Sequence, residues 1–356
     1  MRSVQHPVCA VIPPHMLDEI ADRGDVGTRH EAESTIEQMH LLSTERVNTF
    51  IDVLPERIDR RKQRRVFDAR NERRLPGLLA RGEEQPESDD LEVNEAFDGA
   101  GATWDFFHQV FGRKSIDGKG LCLDSTVHYG THFQNAMWNG HQIVYGDGDG
   151  SLFTRFTASL DVIAHELTHG LTQHATALGY SGQTGALNEH LSDAIGMMVR
   201  QFTYNETVDQ SDWVIGSELL GPDVNGVGVR SMSAPGTAYD DHVLGRDPQP
   251  MHMDDYVHTT ADHGGVHVNS GILNHAFYLA AKAIGGYSWE VLGRIWYVTL
   301  MERLTSNANF ADFAQATHEV AGERYGFASR ACRAIGEAWK AVGIRPMGVR
   351  RRRRAA

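Results

Sequence analysis

The chain has 356 residues, 41% hydrophobic and 23% charged, which is the balance of a soluble globular protein with room for two or three compact units. Its net charge of −13 argues against any general affinity for nucleic acid, and no run approaches the roughly 18 consecutive apolar residues of a membrane span. The three cysteines, Cys9, Cys122 and Cys332, are too few and too scattered for a disulfide framework or a metal-ligand pattern of their own.

At the N-terminus, "VCAVI" gives only five apolar residues before Pro13 and Pro14, too short for the core of a secretory signal. The protein is therefore expected to stay in the cytoplasm or to leave by a non-classical route. Residues 1–60 carry one helical segment near 31–42 and little sign of an independent core, so they read as a small leader. A basic run at 60–65 and the acidic "RGEEQPESDD" follow, and both read as exposed, solvated linker. Residues 66–159 read as β-rich, with runs such as "STVHYG" and "HQIVYG" broken by glycine turns, and "GDGDG" at 146–150 reads as a hairpin turn. Helices are expected from Leu160 onward, then at 186–202, 270–284, 289–304, 310–325 and 328–342. The run of arginines at 350–354 reads as a solvated tail. The fold class is α+β: a β-rich N-terminal lobe (61–180), a mainly helical C-terminal lobe (181–345), a small leader (1–60) and a basic tail (346–356).

The chemistry lies in "IAHELTHGL". On a helix, positions i and i+4 share a face, so His165 and His169 can point two imidazoles at one cation, with Glu166 beside it as a base for a metal-activated water. Zinc needs a third protein ligand, and Glu189 on the next predicted helix can supply it. Asp193, one turn further, can accept the other N–H of His165. The spacing departs from metzincins, which would want glycine at Thr172 and histidine at Ala175, and from zinc aminopeptidases, whose glutamate would fall at Asn188.

Five segments, "NAMWNG" (135–140), "HELTHG" (165–170), "GALNEHLSDAIG" (185–196), "VRSMSAP" (229–235) and "DHGGVHVNSGILN" (262–274), stand in the order and spacing of the thermolysin family of neutral zinc metalloproteases, which residues 66–345 resemble. The leader, with "IPPHMLDEIADRG" at 12–24, resembles the short propeptide of the protealysin-like branch. The resemblance implies a zinc endopeptidase made as a precursor, with its cleft between the two lobes. It implies His165, His169 and Glu189 as zinc ligands, Glu166 as general base, His267 oriented by Asp262 as the transition-state histidine, and Tyr180 as an oxyanion donor. It implies that Asn135, Ala136 and Arg230 hold substrate backbone, and that Asn188 and Asp193 support the zinc histidines. Phe153, Val162 and Val229 would line the pocket behind the cleaved bond, giving cleavage before bulky apolar residues. Partners would be protein or peptide substrates and the chain's own propeptide as an inhibitor, with no nucleic acid or membrane.

The family's double calcium site is expected to be lost. Asp161 and Asp212 remain, but Arg200 and Ser217 stand where carboxylates belong, and the guanidinium is expected to pair with the aspartates instead. The sequence leaves open whether calcium binds elsewhere. Leader cleavage is expected before a bulky residue such as Phe50, Ile51 or Leu54. Cys9 reads as a packed thiol by default, with a sharper alternative as a thiolate that caps the metal.

Overall fold

The computed structural model describes residues 9–48 and 61–345, giving backbone alone for 43–48; Phe50, Ile51, Leu54 and the arginine run at 350–354 lie outside the described residues. A six-stranded sheet holds the first half of the chain. Its strands are β1 (Cys9–Ala10), β2 (Arg64–Asp68), β3 (Leu78–Gly82), β4 (Leu123–Val127), β5 (Ala136–Trp138) and β6 (Ile143–Tyr145), in the spatial order β1-β5-β6-β4-β2-β3. The leader therefore supplies an edge strand, pairing antiparallel with β5 in the register Cys9 to Trp138 and Ala10 to Met137. Two leader helices follow β1: α1 (Pro14–Arg23), which opens on Pro14 at its first position, and α2 (Val26–Asn48). Met16, Leu17 and Ile20 of α1 are fully buried in the main core, so the leader borrows the body's apolar interior.

The β-rich reading of 66–159 misses one long helix, α3 (Leu91–Phe111). Asp90 caps it by accepting the amides of Glu92 and Val93, and Gly112 ends it in the left-handed region at φ 66°. Its glycines and aromatic residues blur the helical period. Tertiary packing explains them: a Cβ at Gly99 would stand 2.4 Å from Ile163 Cδ1, so the small residue admits a close helix crossing. Two smaller expectations are also corrected. The segment 146–150 joins no two strands as a hairpin; it is an irregular loop, closed by Asp149 Oδ1 accepting the amides of Ser151, Leu152 and Phe153. Nor is the basic run a solvated linker: Lys62 pairs with Asp105 at 2.6 Å, Arg64 with Glu83 at 2.8 Å and Arg65 with Asp124 at 2.7 Å, because β2 lies beside acidic partners.

The second half is helical: α4 (Leu160–Ala175), α5 (Gly182–Tyr204), α6 (Asp262–Ile284), α7 (Leu292–Glu302), α8 (Phe310–Tyr325) and α9 (Arg330–Ala341). Helices α4 and α5 pack on one another through the centre of the molecule, and α6 packs against α5. Gly196 makes the first approach possible, since a Cβ there would meet the backbone oxygen of Asp161 at 2.5 Å. The α4 histidines thereby face the carboxylates of α5.

Candidate metal centre and substrate cleft

His165 and His169 stand one turn apart on α4, and their Nε2 atoms lie 3.0 Å from one another. Each ring is held from behind. Nδ1 of His165 is 2.9 Å from Asp193 Oδ1, and Nδ1 of His169 is 3.2 Å from Asn188 Oδ1. With those nitrogens donating to the oxygens, the two Nε2 atoms present lone pairs towards one point. Glu189 completes the group, its carboxylate oxygens 3.5 Å from His165 Nε2 and 3.4 Å from His169 Nε2. All three side chains are buried. Glu189 Oε2 has no hydrogen-bond partner. Two lone pairs and a carboxylate converging in a buried site repel one another unless a cation lies between them. Burial holds His169 down to about 3, whereas burial on His165 is outweighed by Asp193 and Glu189, which hold it up to about 10. A divalent ion fits this donor set.

Glu166 is fully buried, and one of its oxygens accepts the backbone amide of Trp138 at 2.7 Å. Burial, with the Glu189 carboxylate nearby, pushes it up to about 8. A carboxylate so placed takes up a proton readily. On the opposite wall, His267 sits just past a kink at residues 262–265, where Asp262 has φ 49° and Gly264 φ 92°. The kink lets Asp262 bond both the ring Nδ1 (2.6 Å) and the backbone amide (2.8 Å) of His267. Burial opposes a charge on this ring, but Asp262 and Glu189 hold it up to about 9. Tyr180 reaches the same space, its hydroxyl bonded to Glu189 and 3.2 Å from His267 Nε2.

The cleft is filled by the leader. The Val11 amide donates to the Ala136 carbonyl at 3.0 Å. Asn135 takes both polar groups of Ile12, accepting its amide at 2.9 Å and donating to its carbonyl at 3.0 Å. Arg230 Nη1 donates to the Val11 carbonyl at 2.8 Å while its other nitrogens grip both oxygens of Asp193 at 2.9 and 2.8 Å. His267 Nε2 lies 3.0 Å from the Ala10 carbonyl. Val11 is fully buried within the apolar cluster that also contains Phe153, Val162 and Val229.

Two family models cover most of the chain. The thermolysin metallopeptidase catalytic domain matches residues 59–173 and the thermolysin metallopeptidase alpha-helical domain matches residues 176–344. An extracellular metalloprotease of Pectobacterium carotovorum subsp. carotovorum is 49% identical over 95% of this chain and 97% of its own. The chain belongs to the thermolysin family of metallopeptidases. Protease PrtS of Photorhabdus sp. is 42% identical over 94% of this chain and 92% of its own length. A thermolysin of Alicyclobacillus acidocaldarius subsp. acidocaldarius is 38% identical over 78% of this chain but only 50% of its own length. The solved precursor of protealysin from Serratia proteamaculans superposes with a TM-score of 0.87 at 46% identity, over 94% of this chain and 99% of that one. The protein is thus a protealysin-like, zinc-dependent neutral endopeptidase made as a precursor.

A second ionic group joins buried Asp161 and Arg200 to the exposed Asp212, the residues at the expected calcium site. Arg200 forks onto Asp212 at 2.8 and 2.9 Å and stands 3.6 Å from Asp161, whose carboxyl burial pushes up to about 6. Ser159 bridges Asp161 and Glu218, bonding each at 2.8 Å, while Ser217 lies outside this set of bonds. The sequence reading did not find the Trp138 amide behind Glu166, nor which leader residues enter the cleft. Backbone donors carry no residue code. The propeptide-like "IPPHMLDEIADRG" and the alternative of Cys9 as a metal cap pointed to the leader without fixing which of its backbone groups are bound.

Proposed function

We propose that His165, His169 and Glu189 hold the catalytic zinc and that residues 1 to about 60 act as an inhibitory propeptide lying in the substrate's place. On this division residues 61–180 and 181–345 form the two lobes that flank the cleft. The observation that carries the reading is the leader backbone at residues 10–12. It uses Asn135, Ala136, Arg230 and His267, the groups that a peptide substrate would need. An extended peptide added to a sheet edge gains affinity from main-chain bonds and selectivity from pockets under alternate side chains. Val11 is buried in the same apolar core as Phe153, Val162 and Val229, which supports a preference for a bulky apolar residue after the cleaved bond.

Zinc in this donor set acidifies water and polarises the peptide carbonyl. The chain's own residues do the rest. Glu166, oriented by the Trp138 amide, takes the proton of the attacking water and passes it to the leaving nitrogen. His267, kept cationic by Asp262, and the Tyr180 hydroxyl donate to the developing oxyanion, each donor worth about 2.7–4 kcal/mol by analogy with measured oxyanion holes. Asp193 fixes the His165 ring and anchors Arg230, so one carboxylate sets both metal ligand and substrate clamp.

The Arg200 pair supports loss of the double calcium site, because a guanidinium already neutralises Asp212 and faces Asp161. The relative named an extracellular metalloprotease supports action outside the cell, and among the described residues no helix is long and apolar enough to cross a membrane. The test is peptide hydrolysis by the full-length chain, by a version lacking residues 1–60, and by that version with the leader peptide added back. Latency of the first, activity of the second and inhibition of the third are expected. Equal activity of the first two would refute the propeptide role.

A further inference from the structure

The leader lies in the cleft as a substrate would, which raises the question of why it is not cut. The Ala10 carbonyl faces His267, and the next residue, Val11, has its amide on Ala136 and its carbonyl on Arg230. The Ala10–Val11 peptide bond therefore occupies the position of the bond to be hydrolysed. Glu166 stands fully buried on the neighbouring helix, held by Trp138, the residue paired with Cys9.

Cys9 supplies the difference. Its Sγ lies within 4.8 Å of a ligand atom of His169 and of Glu189, and those two atoms lie within 4.8 Å of one another. Cys9 is 5% exposed and packs with Val266 and with Tyr180, the proposed oxyanion donor. Glu189 Oε2, buried and without a hydrogen-bond partner, lies 3.5 Å from both His165 Nε2 and His267 Nε2. A thiolate is a strong zinc ligand, and four protein ligands make a closed site, whereas hydrolysis needs three ligands and an open position for water.

We propose that in the precursor Cys9 is the fourth ligand of the zinc, displacing the attacking water, so that the leader is held as an uncut substrate. This rests on the assignment of His165, His169 and Glu189 as the zinc site. The leader then has two locks: backbone pairing with β5, and a thiol that disables the chemistry. With the thiol removed, water returns. Its hydroxyl adds to the Ala10 carbonyl carbon, the Ala10–Val11 bond breaks, and the Val11 nitrogen takes the proton.

The experiment uses full-length protein carrying Glu166→Gln, which keeps the leader attached, loaded with cobalt(II) in place of zinc. Visible d–d bands report that the site holds metal, and a near-ultraviolet sulfur-to-cobalt charge-transfer band reports the thiolate. Both are expected in this protein, with loss of the charge-transfer band alone in Cys9→Ser and its retention in Cys122→Ser and Cys332→Ser. The d–d bands without the charge-transfer band in the parent protein would overturn the Cys9 ligand and leave the zinc site standing; absence of both would overturn the zinc site as well. As a second measurement, zinc-loaded Cys9→Ser protein with Glu166 intact is expected to lose residues 1–10 by cleavage before Val11, read by mass spectrometry. A Cys9→Ser precursor that keeps this bond as long as the parent does would also refute the proposal.

Discussion

Two ionic groups form around helices α4 and α5, and the contrast between them explains what the chain supplies and what it leaves to a ligand. At one end Asp161 and Asp212 meet Arg200, a cation built into the sequence that cannot leave. At the other, His165, His169 and Glu189 converge with no side-chain cation between them, and the two ring nitrogens face one another at 3.0 Å. Buried negative charge and lone pairs need a positive partner in both places. The internal guanidinium makes the first group structural. The second group, made of two imidazoles and a carboxylate with no guanidinium or ammonium among them, supports the proposed metal site. A third group, half-exposed, is intermediate: His128 lies 2.8 Å from Asp90 and 3.0 Å from Asp147, with Glu92 nearby, so its cation is present but can be titrated away.

The largest effect should fall on the chemistry alone. Glu166→Gln keeps the shape of the side chain and loses the base, so peptidase activity of the leader-free protein should drop about 10²–10⁴-fold with zinc content unchanged. Undiminished activity would point to a contaminating protease. Next comes the structural group. Arg200→Met removes the internal cation and leaves Asp161 buried and unpaired, which should cost about 3–5 kcal/mol in chemical denaturation. Adding Asp161→Asn should restore a substantial part, and a double variant no more stable than the single one would break the comparison.

Removing the external cation should cost somewhat less. At free zinc 100 times its Kd the bound ion contributes about 2.7 kcal/mol, so a zinc chelator should lower both Tm and activity, and zinc should restore them. Crystals grown with calcium should show no ion at Asp161 and Asp212, because Arg200 holds that place. Calcium bound at Asp161 would contradict the reading of the Arg200 group.

The smallest effect belongs to His128. The hydrogen bonds that its ring donates to Asp147 and Asp90 hold the His128 pKa up to about 10 against partial burial. A folded pKa above the unfolded value of about 6.5 means the stabilisation is fully present below pH 6.5 and fades as pH rises towards 10. After allowance for solvent screening, the contribution is on the order of 1–2 kcal/mol. His128→Gln should therefore lower stability at pH 6 and make little difference at pH 10; an equal loss at both values would show that packing, not charge, is at work.

Much of the catalytic cluster was legible because it depends on residue type at fixed spacing. The i, i+4 pair on a helix put His165 and His169 on one face, and the return helix brought Glu189 and Asp193 to them. Arg200 in place of a carboxylate likewise announces an ion pair by residue type alone. What stayed hidden depends on tertiary packing or on backbone atoms. Helix α3 escaped because its Gly99 and aromatic residues answer to neighbours such as Ile163, not to a local period. Arg64 and Arg65 looked like linker because their partners, Glu83 and Asp124, are distant in the chain. The leader strand could not be placed because two residues, Cys9 and Ala10, make a β-strand only when β5 is there to receive them.

The central claim is that one divalent ion sits among His165 Nε2, His169 Nε2 and the Glu189 carboxylate. Anomalous diffraction from crystals of the full-length protein, collected on both sides of the zinc absorption edge, tests it directly. The account predicts a single strong peak at that convergence point, present above the edge and lost below it. Stoichiometric zinc in the protein with its peak at any other cluster, or with Glu189 turned away from the two rings, would contradict it.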